Sequence, residues 1–184
     1  MTSAAAVARQ KTREALNGLR FPHNVFSSSW DAYLFFDSDW IFEASFVESI
    51  KALLALEGAA CACLEYLDTP SGDDAVSIDR TTDPSVYKAK LQGTSPGRGW
   101  LHEFGRFVCT SDLSNWFIYC ERAAEIAVIA IRGRLSPELC ANVLSDTGCV
   151  DIETALRDEI SWGFSPAGLS KEWAAQLLRE YKNR

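Results

Sequence analysis

The sequence predicts a single α+β domain over residues 1–184, with a mainly antiparallel sheet of about five strands packed by amino-terminal and carboxy-terminal helices. Three observations carry that prediction. Apolar residues make up 47% of the chain and charged residues 23%, the proportions of a globular protein. Three short apolar runs, 106–109, 116–121 and 126–132, are separated only by brief polar turns, so they read as an antiparallel meander. Helical patterns with recognisable caps lie before and after them. At 184 residues, a chain buries roughly 70% of the surface that it exposes when unfolded, enough for a self-sufficient core.

In chain order, Ser3 caps a first helix expected over Ala4–Asn17, which Gly18 stops, and Phe21-Pro22 then requires an extended exit. Ala32-Tyr33-Leu34-Phe35-Phe36 is an aromatic-rich strand. Ser45 with Glu48 forms a capping box for the next helix, which Gly58 ends. Its residues Phe46, Val47, Ile50, Leu53 and Leu54 share one apolar face. Cys61–Leu67 is a second strand, and 68–82 reads as a loop-rich stretch. Asp83 caps, and Pro84 opens, a short helix to Leu91 with Gly93 after it. In the meander, the last two runs are apolar on both faces, which predicts central strands with cover on each side. Ser136, Asp151 and Ser170 cap three closing helices. Pro137 starts the first of these and Gly148 ends it, while Trp173, Ala174, Leu177, Leu178 and Tyr181 form a stripe on the last.

Charge is distributed unevenly along this framework. Residues 21–79 hold eleven acids against one base, Lys51, whereas the rest of the chain is nearly balanced and the formal total is −7. A one-signed field is an argument about partners, and this one favours a basic macromolecule. It opposes direct binding of nucleic acid, as does a sequence pI near 4.9. The longest apolar run, 126–131, is far short of the ~20 residues that a membrane helix needs, so no membrane partner is expected. No signal-peptide pattern is present, and six cysteines without one point to free thiols in a reducing compartment, hence to a cytoplasmic protein.

Catalytic and cofactor motifs are weak. A thiol nucleophile would pair Cys109 or Cys120 with His102, yet both cysteines sit within apolar strand patterns where a thiol is inert. Two histidines leave little for zinc. Asp68, Asp73, Asp74 and Asp79 lack the alternating calcium-loop pattern, and Thr94–Gly99 lacks a phosphate-loop lysine. No catalytic residue, metal or cofactor is assigned. The remaining constellation is Trp30-Asp31 and Asp37-Ser38-Asp39-Trp40 bracketing the strand 32–36, with Glu43 just beyond. An indole beside carboxylates suits the capture of Lys or Arg, because the ring offers cation–π contact and the acid a charge-assisted hydrogen bond. The alternative is that both tryptophans are core residues at strand ends. The candidate partner surface is therefore Trp30, Asp31, Asp37, Asp39, Trp40 and Glu43, joined by Asp68, Asp73 and Asp74 on the loop-rich stretch.

In format the chain resembles the immunity proteins of bacterial contact-dependent and polymorphic toxin systems: acidic, aromatic-rich and α+β. The hairpin-like stretch Asn115-Trp116-Phe117-Ile118-Tyr119-Cys120-Glu121-Arg122 leading into Glu125–Ile129 adds to the likeness. The resemblance implies a non-catalytic inhibitor that binds a cognate toxin domain, basic and in many cases a nuclease, and it transfers no individual residue. Two other readings stay open. One is a small enzyme or ligand-binding domain with a pocket between the sheet and the carboxy-terminal helices. The other is a homo-oligomer joined through exposed aromatics.

Overall fold

The computed structural model describes residues 3–68, 75–93, 99–157 and 169–182. Among the described residues, six helices and six strands make an α+β fold around one open antiparallel sheet. The strands are β1 (Ala32–Asp37), β2 (Cys61–Tyr66), β3 (Ala75–Asp79), β4 (Arg106–Ser111), β5 (Trp116–Glu121) and β6 (Ile126–Ile131). Their order is β1-β6-β5-β4-β2-β3. The meander β4-β5-β6 thus forms the centre, and the earlier strands add to its two sides. Every residue of β5 and β6 is buried, which bears out the expectation of central strands covered on both faces.

The helices are α1 (Ala4–Ala15), α2 (Ala44–Glu57), α3 (Pro84–Gln92), α4 (Pro137–Val143), α5 (Ile152–Arg157) and α6 (Lys171–Tyr181). One core joins α2, α3 and α4 to the sheet face carrying Leu34, Phe36, Leu64, Phe107, Ile118 and Ile129. The other joins α5, α6 and the segment around Phe21–Trp30 to the face carrying Phe35, Val108, Tyr119 and Val128. The alternation of side chains along each strand splits the apolar residues between these two layers. Helix α1 lies over β2 and β4. It docks through Ala8 and through the buried Thr12, whose hydroxyl donates to Glu65 over 2.6 Å.

Four local expectations are corrected. The first helix stops at Ala15 rather than Asn17, because Leu16 and Asn17 leave it to pair with the chain returning at Val25 and Phe26. Ser45 and Glu48 form no capping box. A 3-10 turn, Ser38–Phe42, runs directly into α2 and puts Glu43 at the cap position, so Ser45 already lies inside the helix and Glu48 pairs with Lys51 instead. Gly58 does end α2, taking a positive φ of 78° that few other residues adopt. Gly148 closes a separate 3-10 turn, Ser145–Thr147, rather than α4. Finally, the stretch read as a loop contains β3. Only Val76 and Ile78 of this edge strand face the core, a pattern too short to stand out among the surrounding acids.

Candidate functional site

The antiparallel topology gathers at one end of the sheet the carboxy-terminal ends of β1, β2 and β5 and the amino-terminal ends of β3, β4 and β6. Five of the nine candidate residues lie at this end: Asp37, Asp39, Trp40 and Glu43 at and after the end of β1, and Asp68 after β2, four strands across the sheet. Asp37 closes β1, and its carboxylate accepts the Asp39 N–H over 2.8 Å, which shapes the entry to the 3-10 turn. Asp39 in turn accepts from Arg122 Nε at 2.9 Å. Arg122 is the hub. Its Nη1 donates to the carbonyls of Leu101 and Glu103, both at 2.8 Å, and its guanidinium lies 4.4 Å from the Phe42 ring centroid and 5.2 Å from that of Phe104. The Arg122 side chain is only 10% exposed, whereas Asp39 is 68% exposed.

One unanticipated residue stands out at this end: Phe104 is 72% exposed. Its neighbour Glu103 accepts from the Tyr66 hydroxyl over 3.2 Å, and burial together with this carboxylate pushes the Tyr66 hydroxyl up. Asp68 is tied inward, receiving the Arg106 backbone N–H at 2.9 Å and the Arg106 guanidinium through two nitrogens, with Arg20 at 3.7 Å. Burial pushes the Asp68 carboxyl up, but the Arg106 hydrogen bonds outweigh it and hold the group below its ordinary value. Gly105 lets the chain pass this close, since a Cβ there would run into the Tyr66 ring and the Asp68 carboxylate. Glu43 pairs with Lys88 at 3.4 Å. Asp39, Glu43 and Asp68 are thus neutralised internally. Among the described residues, Asp37, Glu103 and Glu125 have no base within ion-pair reach, so this end keeps an acidic surface.

Trp30 and Asp31 lie at the opposite end of β1, about 20 Å away for a six-residue strand at ~3.3 Å per residue. Trp30 is 7% exposed and packs on Phe26 and Phe117, with Arg132 4.4 Å above its ring. Asp31 accepts the Gly133 N–H over 2.8 Å, which fastens β1 to the end of β6. Trp40 packs against the other core layer. The fold therefore places the two tryptophans as structural side chains on opposite faces of the sheet, and they share no hot spot. Asp73 and Asp74 lie outside the described residues.

A groove of about 730 Å3 opens beside Trp30 and Asp31, lined by the serines 27–29 and by Arg179, Glu180 and Lys182 from α6 and its end. Its charges are of both signs. The space between the sheet and α6 itself is filled, with Tyr181 edge-on to Tyr33 and Phe35 at ring separations of 5.1 and 5.3 Å. The thiols do not look activated. Burial pushes all six up, Cys63 to about 12 and Cys140 to about 11, and Cys109 and Cys120 are fully buried. His102 is exposed on a 3-10 turn, Trp100–His102.

The sequence contained one usable signal for Phe104: an aromatic between Glu103 and Gly105, just outside the alternation of β4. Arg122 and Glu125 carried none, because their importance comes from a hairpin turn that brings them next to Asp39 and Asp37. Among the described residues, no cluster of three potential metal-binding side chains occurs, and no helix is long and apolar enough to cross a membrane. No family model, curated protein or solved structure matches the chain.

Proposed function

We propose that this chain is a binding protein of the immunity type, acting in the cytoplasm without catalysis to neutralise a cognate basic toxin domain through the acidic end of its sheet. The observation that carries the reading is Phe104, 72% exposed beside Glu103 and next to the Arg122–Asp39 pair. Large aromatics anchor protein interfaces, and unpaired carboxylates around one select a cationic partner and speed its capture. The raised thiols of Cys109 and Cys120 add support, since a catalytic thiol needs a lowered value.

The experiment begins with the reading frame next to this gene, whose product is co-expressed and tested for a complex. Association should slow as salt rises, and joint charge reversal at Asp37, Glu103 and Glu125 should cut the association rate about tenfold or more. A basic partner whose binding ignores both salt and these reversals would sink the proposal. The groove beside Trp30 favours a second reading, a small polar ligand held between Asp31 and Lys182. Binding of such a ligand lost on Lys182→Ala, with the toxin complex absent, would favour it.

A further inference from the structure

The surface around Phe104 already holds one guanidinium. Arg122 lies 5.2 Å from the Phe104 ring centroid while its Nε donates to Asp39 at 2.9 Å, so an aromatic ring and a carboxylate clasp the same cation from two sides. Within about 6 Å a ring attracts a cation electrostatically, and a planar guanidinium also stacks. Phe42 fixes the other side of Arg122 at 4.4 Å, and two carbonyls occupy Nη1, so this arginine is held in place. Its grip leaves Phe104 72% exposed. Beside that ring, Glu103 belongs to the same loop. Glu125 and Asp37 follow from the Arg122 turn and the end of β1, and none of the three meets a base among the described residues.

Resting on the reading that this end binds a basic protein, we propose that the open face of Phe104 receives an arginine side chain of that partner, whose guanidinium stacks on the ring while bonding to Glu103 and its neighbouring carboxylates. The internal arginine and the incoming one would then sandwich Phe104. Arginine is favoured over lysine because its fork bonds a carboxylate with two parallel N–H groups while its plane lies on the ring, which an ammonium cannot reproduce. An apolar anchor is disfavoured, since it would bury the Glu103 carboxylate with only the Tyr66 hydroxyl, and no cation, to offset its charge.

The test uses four capped pentapeptides, Gly-Gly-X-Gly-Gly, with X as arginine, lysine, citrulline or leucine, titrated at low ionic strength into the labelled protein. The arginine peptide should shift the Phe104 ring signals and the amides of 101–104 and 122–125. The lysine peptide should bind about two- to fivefold more weakly, because its ammonium keeps the charge and part of the cation–π attraction but lacks the planar fork that stacks on the ring. Citrulline and leucine should leave these signals unmoved. Phe104→Leu, which alters a largely exposed side chain and removes its contact with Arg122 while leaving the Asp39, Phe42 and carbonyl contacts of that arginine, should erase the preference for arginine. Equal response to lysine and arginine, or an arginine preference that survives Phe104→Leu, would overturn the inference. With the partner protein in hand, the two proposals separate. A complex weakened by charge reversal at Glu103 but untouched by Phe104→Leu refutes the stacking alone, whereas association indifferent to salt and charge refutes both.

Discussion

Replacing Arg122 by alanine tests whether one side chain organises the acidic end of the sheet. Three polar contacts are lost: the bonds to the carbonyls of Leu101 and Glu103 and the pair with Asp39. The stacking on Phe42 goes with them. Asp39 is 68% exposed, so its pair with Arg122 is worth less than about 1 kcal/mol. The carbonyl bonds come from a nearly buried charged donor, and bonds of that kind contribute about 1.5–3 kcal/mol each, with the lower figure suited to the exposed Glu103. A loss of about 3 kcal/mol is expected, which for a chain of this size lowers Tm by roughly 6–12 °C. Asp39→Ala should cost no more than about 1 kcal/mol. Urea denaturation measures both, and amide exchange should speed at 100–104 in Arg122→Ala but hardly in Asp39→Ala. Equal losses for the two variants would show instead that the ion pair, rather than the carbonyl bonds, holds the loop.

Thr12→Val keeps the shape of a fully buried side chain but removes the donor to the buried Glu65, so a loss of about 1–3 kcal/mol is expected by chemical denaturation; an unchanged midpoint would show that this bond does not hold α1. Asp68 has a lowered carboxyl in the folded protein, because the Arg106 bonds outweigh its burial. Its contribution is therefore present above the ordinary carboxylate value and lost as pH falls through the folded one. Wild type should exceed Asp68→Asn in stability near neutral pH, and the gap should close in acid; a gap that widened on acidification would contradict the assignment. Thiol labelling of the folded protein at mildly alkaline pH should be slow for Cys109 and Cys120, which are fully buried and shifted well above the ordinary thiol value, and quick for all six only after unfolding. One rapidly labelled cysteine in the folded state would revive the nucleophile reading.

Much of the fold was legible because it follows from local periodicity. The meander, the apolar face of α2, and the caps at Ser3, Asp83, Ser136 and Ser170 all appear where the pattern put them. Pairing partners outside the meander were not legible. Nothing local in Ala32–Asp37 announces that it pairs with Ile126–Ile131, or that β2 lies between β3 and β4. The same limit governed the site. Composition marked the acids of 21–79, but which of them remain free depends on bases brought from far along the chain: Arg122 for Asp39, Arg106 for Asp68 and Lys88 for Glu43. Trp30 and Trp40 flank one strand, and strand length alone separates them once the strand is straight. Phe104 meets Arg122 only because the hairpin holding that arginine reaches its loop.

The pairing of β1 with β6 also bears on how the protein is made. It joins segments roughly 90 to 100 residues apart in the chain, and non-local pairings of that kind fold slowly because a long loop must close before any contact rewards it. During synthesis, β1 emerges well before its partner. Its run Ala32-Tyr33-Leu34-Phe35-Phe36 is then an unpaired apolar edge of the type that recruits other strands. A nascent chain ending before Ile126 is therefore the form most exposed to aggregation. The acidic end of the sheet is completed last, since Asp39 meets Arg122 only when β6 draws β1 into the sheet.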